Sequence, residues 1–282
     1  MNYFVLLFYI VLFSQIMFLS YYYPRRMLIR IHTIFKNYPP NEFPKLYPES
    51  IEKYKKSAKW YQVMNHLIMV LGFSLILWFY VTPRTGKWDQ AIVFWYFMIQ
   101  FIPNLGIELW SMKYHKAMRL LNQDAQKEAV LQPRRLTDFI SREFLAIVFV
   151  IYVIFVVYVA YLDQFDYPWF GGYLNVLIIS GVFLFFGLII YKAMYGKISN
   201  PHQSYEDRTI NIQTLTRQIL SIAIAVMLYA MLQILLKIFG LESFKAISIS
   251  LYFYVIGFLS MQWPRLDFIN FDVYKDKPAL TK

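Results

Sequence analysis

The chain contains seven stretches of about 20 residues that carry almost no charged side chains. They run over about 2–22, 62–82, 91–110, 144–162, 173–191, 219–239 and 244–263. A helix of ~20 apolar residues can cross the ~30 Å hydrocarbon core of a bilayer, whereas barrel strands alternate in shorter segments. We therefore predict an all-α integral membrane protein. Residues 1–263 form one bundle of about seven transmembrane helices, and residues 264–282 form a short cytoplasmic tail.

The composition excludes several other classes of protein. Apolar residues make up 59% of the chain and charged residues 16%, against roughly 45–50% and 25% in soluble domains. The sequence has no cysteine, which excludes disulfide scaffolds, cysteine-ligated zinc and iron–sulfur clusters. The four histidines have no metal-ligand spacing. We predict no metal and no cofactor.

The positions of Lys and Arg predict an orientation. Segments 23–61, 111–143 and 192–218, with the tail after Trp263, hold 24 of the 28 basic residues. If all seven helices cross the membrane, these segments share one side, and the positive-inside rule places the N-terminus outside and the C-terminus in the cytoplasm. The net charge of +11 then suits anionic lipid headgroups rather than nucleic acid. We expect an integral protein of a bacterial cytoplasmic (inner) membrane.

The third stretch carries one line of polar residues. Successive members are 4, 4, 3 and 4 positions apart and cover an arc of about 80° on a helix; they are Gln100, Asn104, Glu108, Ser111 and His115. A carboxylate such as Glu108 costs about 2.5–3.5 kcal/mol inside a span, so it should face protein or water. We predict that this stripe forms a substrate or ion pathway open to the cytoplasm, together with Gln15, Asn65 and His66. The alternative is that these groups are interhelical hydrogen bonds, with Glu108 near the headgroups paired to Lys113 or Arg119.

The first basic segment is rich in proline and aromatic residues between positions 38 and 48. Its prolines exclude a regular helix and favour an extended, polyproline-like course. We expect a protein partner or a homo-oligomer. We predict a docking strip for a partner, or a plug over a cavity, formed by Tyr38, Pro39, Pro40, Phe43, Pro44 and Tyr47. The alternative is a loop whose aromatic rings rest at headgroup depth. Residues 27–36 have amphipathic spacing and either continue the first helix or lie on the membrane surface.

Residues 200–207 contain the pattern His-x-Ser-x-x-Asp, formed by His202, Ser204 and Asp207. It is similar to the first motif of glycerolipid acyltransferases, in which a His–Asp pair serves as the general base for a hydroxyl. The resemblance implies an enzyme that acts on lipid. It covers eight residues and departs from the family, since Pro201 separates Asn200 from the histidine. Only 75 residues follow Asp207, too few for that family's soluble α/β domain beside two spans.

Three functions fit these observations. The first is a transporter or channel subunit for a small solute, ion or lipid, with Glu108 in its pathway and a helix kink at Pro103 and Gly106. The second is a scaffold, assembly factor or regulatory subunit that docks partners through residues 38–48. The third is an intramembrane lipid-modifying enzyme that uses Glu108 with His66, or His202 with Asp207. The polar stripe favours transport, and we predict no catalytic residue.

Overall fold

The structure, a computed structural model, describes residues 3–82, 90–121, 135–196, 200–261 and 266–275. Over these ranges the chain is helical and contains no strand. Its seven long helices are α1 (Tyr3–Asn37), α2 (Ile51–Val81), α3 (Gln90–Leu121), α4 (Arg142–Asp163), α5 (Leu174–Tyr195), α6 (Tyr205–Ile238) and α7 (Lys245–Ser260). All seven are apolar and long enough to cross a membrane, α7 together with the 3-10 turn Glu242–Phe244 that precedes it. The all-helical class is confirmed, and the seven long apolar helices match the number of spans predicted.

Several helices extend beyond the apolar stretches that predict them. α1 continues to Asn37, so residues 27–36 continue the first helix, as one of the two alternatives expected. α3 continues to Leu121. α2 and α6 begin 11 and 14 residues before their predicted starts at 62 and 219. Hydropathy registers only the apolar part of a helix, so polar extensions at its ends escape it. The predicted span ends at residues 2 and 263, and the tail beyond residue 275, lie outside the described residues.

A π-helical segment, Phe18–Tyr22, interrupts α1. The backbone N–H of Tyr23 donates to the carbonyl of Phe18, one residue further back than in an α-helix. Pro24 follows immediately and has no N–H to donate, so the widened turn accommodates the missing hydrogen bond. The segment includes Ser20, whose side chain is buried inside the bundle.

The helices form two groups. In the four-helix group, α1 and α3 each pack against both α2 and α7. In the three-helix group, α4, α5 and α6 pack against one another, and the packing of α6 on α7 joins the groups. Buried apolar residues fill both, among them Phe8, Leu12 and Phe253 in the first and Phe155 and Met227 in the second.

The connections between helices lie at two ends of the bundle. We call one the basic end; it includes residues 38–50, 135–141, 200–204 and 266–275. We call the other the short-loop end; it includes residues 164–173 and 239–244. The rings of Phe4 and Phe244 meet there with centroids 4.8 Å apart, which places the start of α1 beside the start of α7.

The proline-rich segment folds as a compact turn, so the prediction of an extended, polyproline-like course is wrong. The backbone N–H of Phe43 donates to the carbonyl of Pro39 at 3.0 Å, and Pro44–Leu46 forms a 3-10 turn. Burial of the Phe43 ring against Met118, Phe271 and Tyr274 stabilises this shape. Residues 266–275 fold back over the bundle. With 38–47 and 200–207 they form what we call the basic-end cap.

Candidate functional site

A chain of buried hydrogen bonds crosses the four-helix group. Ser250 on α7 donates to Gln15 on α1, and the Gln15 amide donates to Gln100 on α3 over 2.9 Å. The Gln100 amide then donates to the Ser20 hydroxyl, also over 2.9 Å. Both glutamine side chains are fully buried. These two residues of the predicted pathway therefore hold three helices together, as the alternative interpretation of the stripe expected.

A second pair of predicted pathway residues lies one turn nearer the basic end. The Tyr61 hydroxyl donates to the Asn104 side-chain oxygen at 2.9 Å, which links α2 to α3. The Asn65 amide donates to the backbone carbonyl of Tyr61 at 2.8 Å. The Asn65 Oδ1 atom is buried and finds no hydrogen-bond partner within the described part of the chain. A buried acceptor in that state costs about 1–3 kcal/mol unless something else binds it.

The remaining predicted pathway residues lie towards the basic end and do not all come together. The Glu108 side chain is exposed and forms no ion pair with Lys113 or Arg119 among the described residues. The Ser111 hydroxyl lies 3.4 Å from His115 Nδ1, and both residues are half-buried. His66 on α2 is exposed, with Nδ1 2.7 Å from the carbonyl of Gln62. The stripe residues thus do not share one cavity.

Among the cavities that the described residues line, three lie in the basic half of the bundle. The apolar cavity, of about 280 Å³, is lined mainly by hydrophobic and aromatic side chains, with Ser111 and His115 among its polar groups. The α1–α2 cavity, of about 390 Å³, is lined by Asn65 and His66 among others. A small cavity of about 60 Å³ contains Gln100 and Asn104. Glu108 lines none of the cavities described here.

The short-loop cavity, of about 500 Å³, lies where α3, α6, α7 and the α4–α5 connection meet. Two lysines line it: Lys237 Nζ lies 4.5 Å from the ring centroid of Trp169, and Lys245 Nζ lies 3.2 Å from Glu242 Oε1. Gln233 also lines it and donates to Ser248 at 2.7 Å. The remaining lining is Asn175 and mostly aromatic or aliphatic side chains: Ala91, Phe94, Phe170, Gly171, Tyr229, Ile234 and Ile249.

Sequence reasoning missed this cavity. In the sequence, Lys237 and Lys245 appear only as charges at the ends of predicted spans. Nothing in the periodicity of α6 or α7 shows that they line the same cavity. One signal was available. They are two of only four basic residues outside the lysine-rich and arginine-rich segments, and retention of such residues on the predicted outer side is unusual.

The acyltransferase-like residues take part in the basic-end cap. The buried Asp207 carboxylate accepts the backbone N–H of Asn270 at 3.2 and 3.3 Å, and the Ser204 hydroxyl caps α6 by accepting from the N–H of Asp207. The His202 ring lies 5.9 Å from the ring of Tyr274. Burial, and secondarily the charge of Lys45, lowers the pKa of His202. Asp207 therefore fastens the tail segment to α6.

The predicted docking residues contact the chain's own tail. The Tyr38 and Phe271 rings stack with centroids 3.8 Å apart, and Phe43 is buried beside them. The Tyr47 hydroxyl donates to the carbonyl of Tyr38 at 2.6 Å. Pro39, Pro40 and Pro44 are half-buried in the same turn. A partner that docked on these residues would first meet residues 266–275.

No protein-family model, curated protein or solved structure matches this chain. Within the described ranges, no group of three or more His, Asp or Glu residues could hold a metal ion. Seven long apolar helices are compatible with a multi-pass membrane protein. Any more specific proposal of function therefore rests on the geometry of the cavities.

Proposed function

We propose that the protein is a membrane transport protein, a transporter or channel subunit, and that an anionic substrate enters it through the short-loop cavity. The observation that supports this is the convergence of Lys237 and Lys245 on one cavity between the two helix groups. The proposal keeps the class that the sequence favoured and moves the substrate site away from Glu108.

The lining of the cavity indicates an anion with an apolar body. Two ammonium groups on one cavity favour a negatively charged partner, because the described lining contains no carboxylate and Glu242, beside Lys245, offsets only one of the two charges. Gln233 and Asn175 add hydrogen-bonding groups, while Trp169 and Tyr229 offer flat apolar surface. The volume of about 500 Å³ falls in the usual range for small-molecule sites.

The place of the cavity in the fold favours transport over static binding. The cavity lies beside the packing of α6 on α7, the contact that joins the four-helix and three-helix groups. Transporters commonly alternate access by rocking one helix bundle against another around a site between them. A small rotation at this junction would widen or close the cavity.

Uptake of radiolabelled toluenesulfonate into proteoliposomes tests the proposal, because this aromatic anion stays ionised. The wild-type protein should take it up with saturation. Lys237→Gln and Lys245→Gln should each raise KM by roughly 10–100-fold, since a charged hydrogen bond contributes about 1.5–3 kcal/mol. Lys53→Gln is the matched control, because Lys53 is also paired to a nearby glutamate, Glu49, but lies at the basic end. Equal uptake by all four proteins and by empty liposomes would refute the proposal.

The scaffold and the lipid-modifying enzyme stay predictions. The docking residues are covered by the chain's own tail, and Asp207 is engaged with Asn270. Glu108 and His66 are both exposed side chains on α3 and α2. No contact between described residues favours either function over transport.

A further inference from the structure

The α1–α2 cavity combines charge, an unsatisfied acceptor and an irregular helix. It has a volume of about 390 Å³ and lies against the π-helical segment of α1 through Ser20 and Tyr21. Cationic and polar side chains from both helices line it: Arg25 and His32 from α1, and Gln62, Asn65 and His66 from α2. π-helical turns inside α-helices occur frequently at functional sites.

The sequence around the cavity is the kind that lies at the depth of lipid headgroups. The aromatic residues 21–23 lie just before Arg25 and Arg26, separated from them by Pro24, at the point where α1 leaves its apolar stretch. Tyrosines gather at the membrane–water interface, and the basic residues beyond them reach anionic headgroups. Arg25, His32 and His66 are all exposed on the side of the bundle, so the cavity opens laterally rather than into the core.

The Asn65 side chain needs a hydrogen-bond donor, which a simple anion does not supply. Its Oδ1 atom is buried, lacks a partner among the described residues and can only accept a hydrogen bond. A ligand that satisfies both residues therefore carries a negative group for Arg25 and an N–H or O–H donor for Asn65. Both groups occur together in phospholipids that have an ethanolamine or glycerol headgroup.

We propose that the α1–α2 cavity binds the headgroup of a bilayer phospholipid, with the phosphodiester against Arg25 and His32 and a headgroup donor against Asn65. The site lies at the opposite end of the bundle from the short-loop cavity and does not depend on the proposed transport function. It gives the lipid-facing side of α1 and α2 a specific ligand, where the sequence predicted only a general attraction to anionic headgroups.

Arg26 provides a matched control for Arg25. Each guanidinium donates to the tyrosine hydroxyl four residues earlier, at 3.1 Å for Arg25 and 3.5 Å for Arg26. Each also lies 5.8 Å from the ring centroid of that tyrosine. Both are exposed, but only Arg25 lines the cavity. Charge, helix position and local contacts are thus matched, and the cavity is the difference.

Native mass spectrometry of the full chain, released from nanodiscs of phosphatidylethanolamine and phosphatidylcholine, tests the site. The wild-type protein should retain one phospholipid, and Arg25→Gln should reduce its occupancy by roughly tenfold, the effect of losing about 1.4 kcal/mol. Arg26→Gln should retain it. Equal losses in the two variants, or none in Arg25→Gln, would overturn the proposal. Inorganic phosphate at millimolar concentration should not displace the lipid; displacement would identify a site for free phosphate instead.

Asn65→Leu tests the second contact by selectivity. Phosphatidylcholine has no N–H or O–H donor in its headgroup, so the wild-type protein should retain phosphatidylethanolamine in preference to it. The leucine removes the orphaned acceptor at similar volume, so the variant should fold and should bind the two lipids equally. An unchanged preference would show that Asn65 does not contact the headgroup. Because the readout is a ratio of two lipids on one variant, a general loss of stability cannot imitate it.

Discussion

Gln100 accepts a hydrogen bond from Gln15 and donates one to Ser20, so one amide carries two of the contacts at the centre of the four-helix group. Gln100→Leu should lower the free energy of unfolding by about 1–2 kcal/mol, because it leaves the Gln15 amide and the Ser20 hydroxyl buried without it. Titration with sodium dodecyl sulfate measures this difference.

Ser14→Ala serves as the control for that substitution. Ser14 is on the same helix, but its side chain is exposed and donates only to the carbonyl of Ile10 within α1. Its removal should change the unfolding free energy by less than about 0.5 kcal/mol. If both variants unfold like the wild type, the buried chain of hydrogen bonds contributes nothing measurable to the bundle.

The stripe on α3 shows how far periodicity carries at the scale of single residues. Spacing places Gln100, Asn104 and Glu108 on one face, and the structure turns the first two toward neighbouring helices. Glu108 lies one turn beyond Asn104, and its side chain is exposed although Met118, further along α3, is buried in the basic-end cap. Periodicity gives the face of a helix but not which neighbour covers each turn of it.

At the scale of helices, Gly72 sets the distance between α2 and α3. A Cβ at this position would overlap the Tyr96 hydroxyl, which donates to the carbonyl of Ile68 at 3.1 Å. Gly72→Ala should therefore destabilise the protein by about 1–3 kcal/mol through overpacking. Gly187 on α5 is the matched control, since nothing lies within 4 Å of a Cβ built there.

Gly187→Ala should leave stability unchanged or raise it by about 0.5–1 kcal/mol, because alanine loses less backbone entropy in a helix. Gly72→Ala should therefore lower the thermal unfolding temperature, whereas Gly187→Ala should leave it unchanged or raise it. A Gly72→Ala protein as stable as Gly187→Ala would mean that α2 and α3 do not approach each other as closely as described.

The basic-end cap was not predictable from the sequence. Its parts are 38–47, 200–207 and 266–275, and each is short and without periodicity. The contacts between Tyr38 and Phe271, and between Asp207 and Asn270, join positions that are distant along the chain. Local patterns predict helices well because helical hydrogen bonds are local, and they predict such long-range packing poorly.

Acid should loosen the cap through His202. Burial lowers the pKa of His202 below the usual 6.5, so its charged form is disfavoured in the folded state. The stabilising effect of the neutral ring is complete above about pH 6.5 and is lost as the pH falls below that value. Proteolytic cleavage of the tail should accelerate between pH 7.5 and 5.5 in the wild type, and less so in His202→Gln. Identical pH profiles would show that another group is responsible.

At the scale of the whole molecule, the absence of cysteine gives a direct test of orientation. Asn41 and Gln164 are exposed at the basic end and the short-loop end respectively. A membrane-impermeant maleimide should label Gln164→Cys in intact cells and Asn41→Cys only after lysis, as the positive-inside rule predicts. The reverse pattern would invert the orientation and place the short-loop cavity in the cytoplasm.

The closure of the four-helix group by α7 has a consequence for how the protein is made. Gln15 leaves the ribosome 235 residues before its partner Ser250, a delay of roughly 10–50 s of synthesis. Until α7 follows, the side of α1 and α3 that it covers stays open. A chain whose synthesis stops before α7 would expose this polar surface to lipid, and membrane proteases would recognise it as incompletely folded.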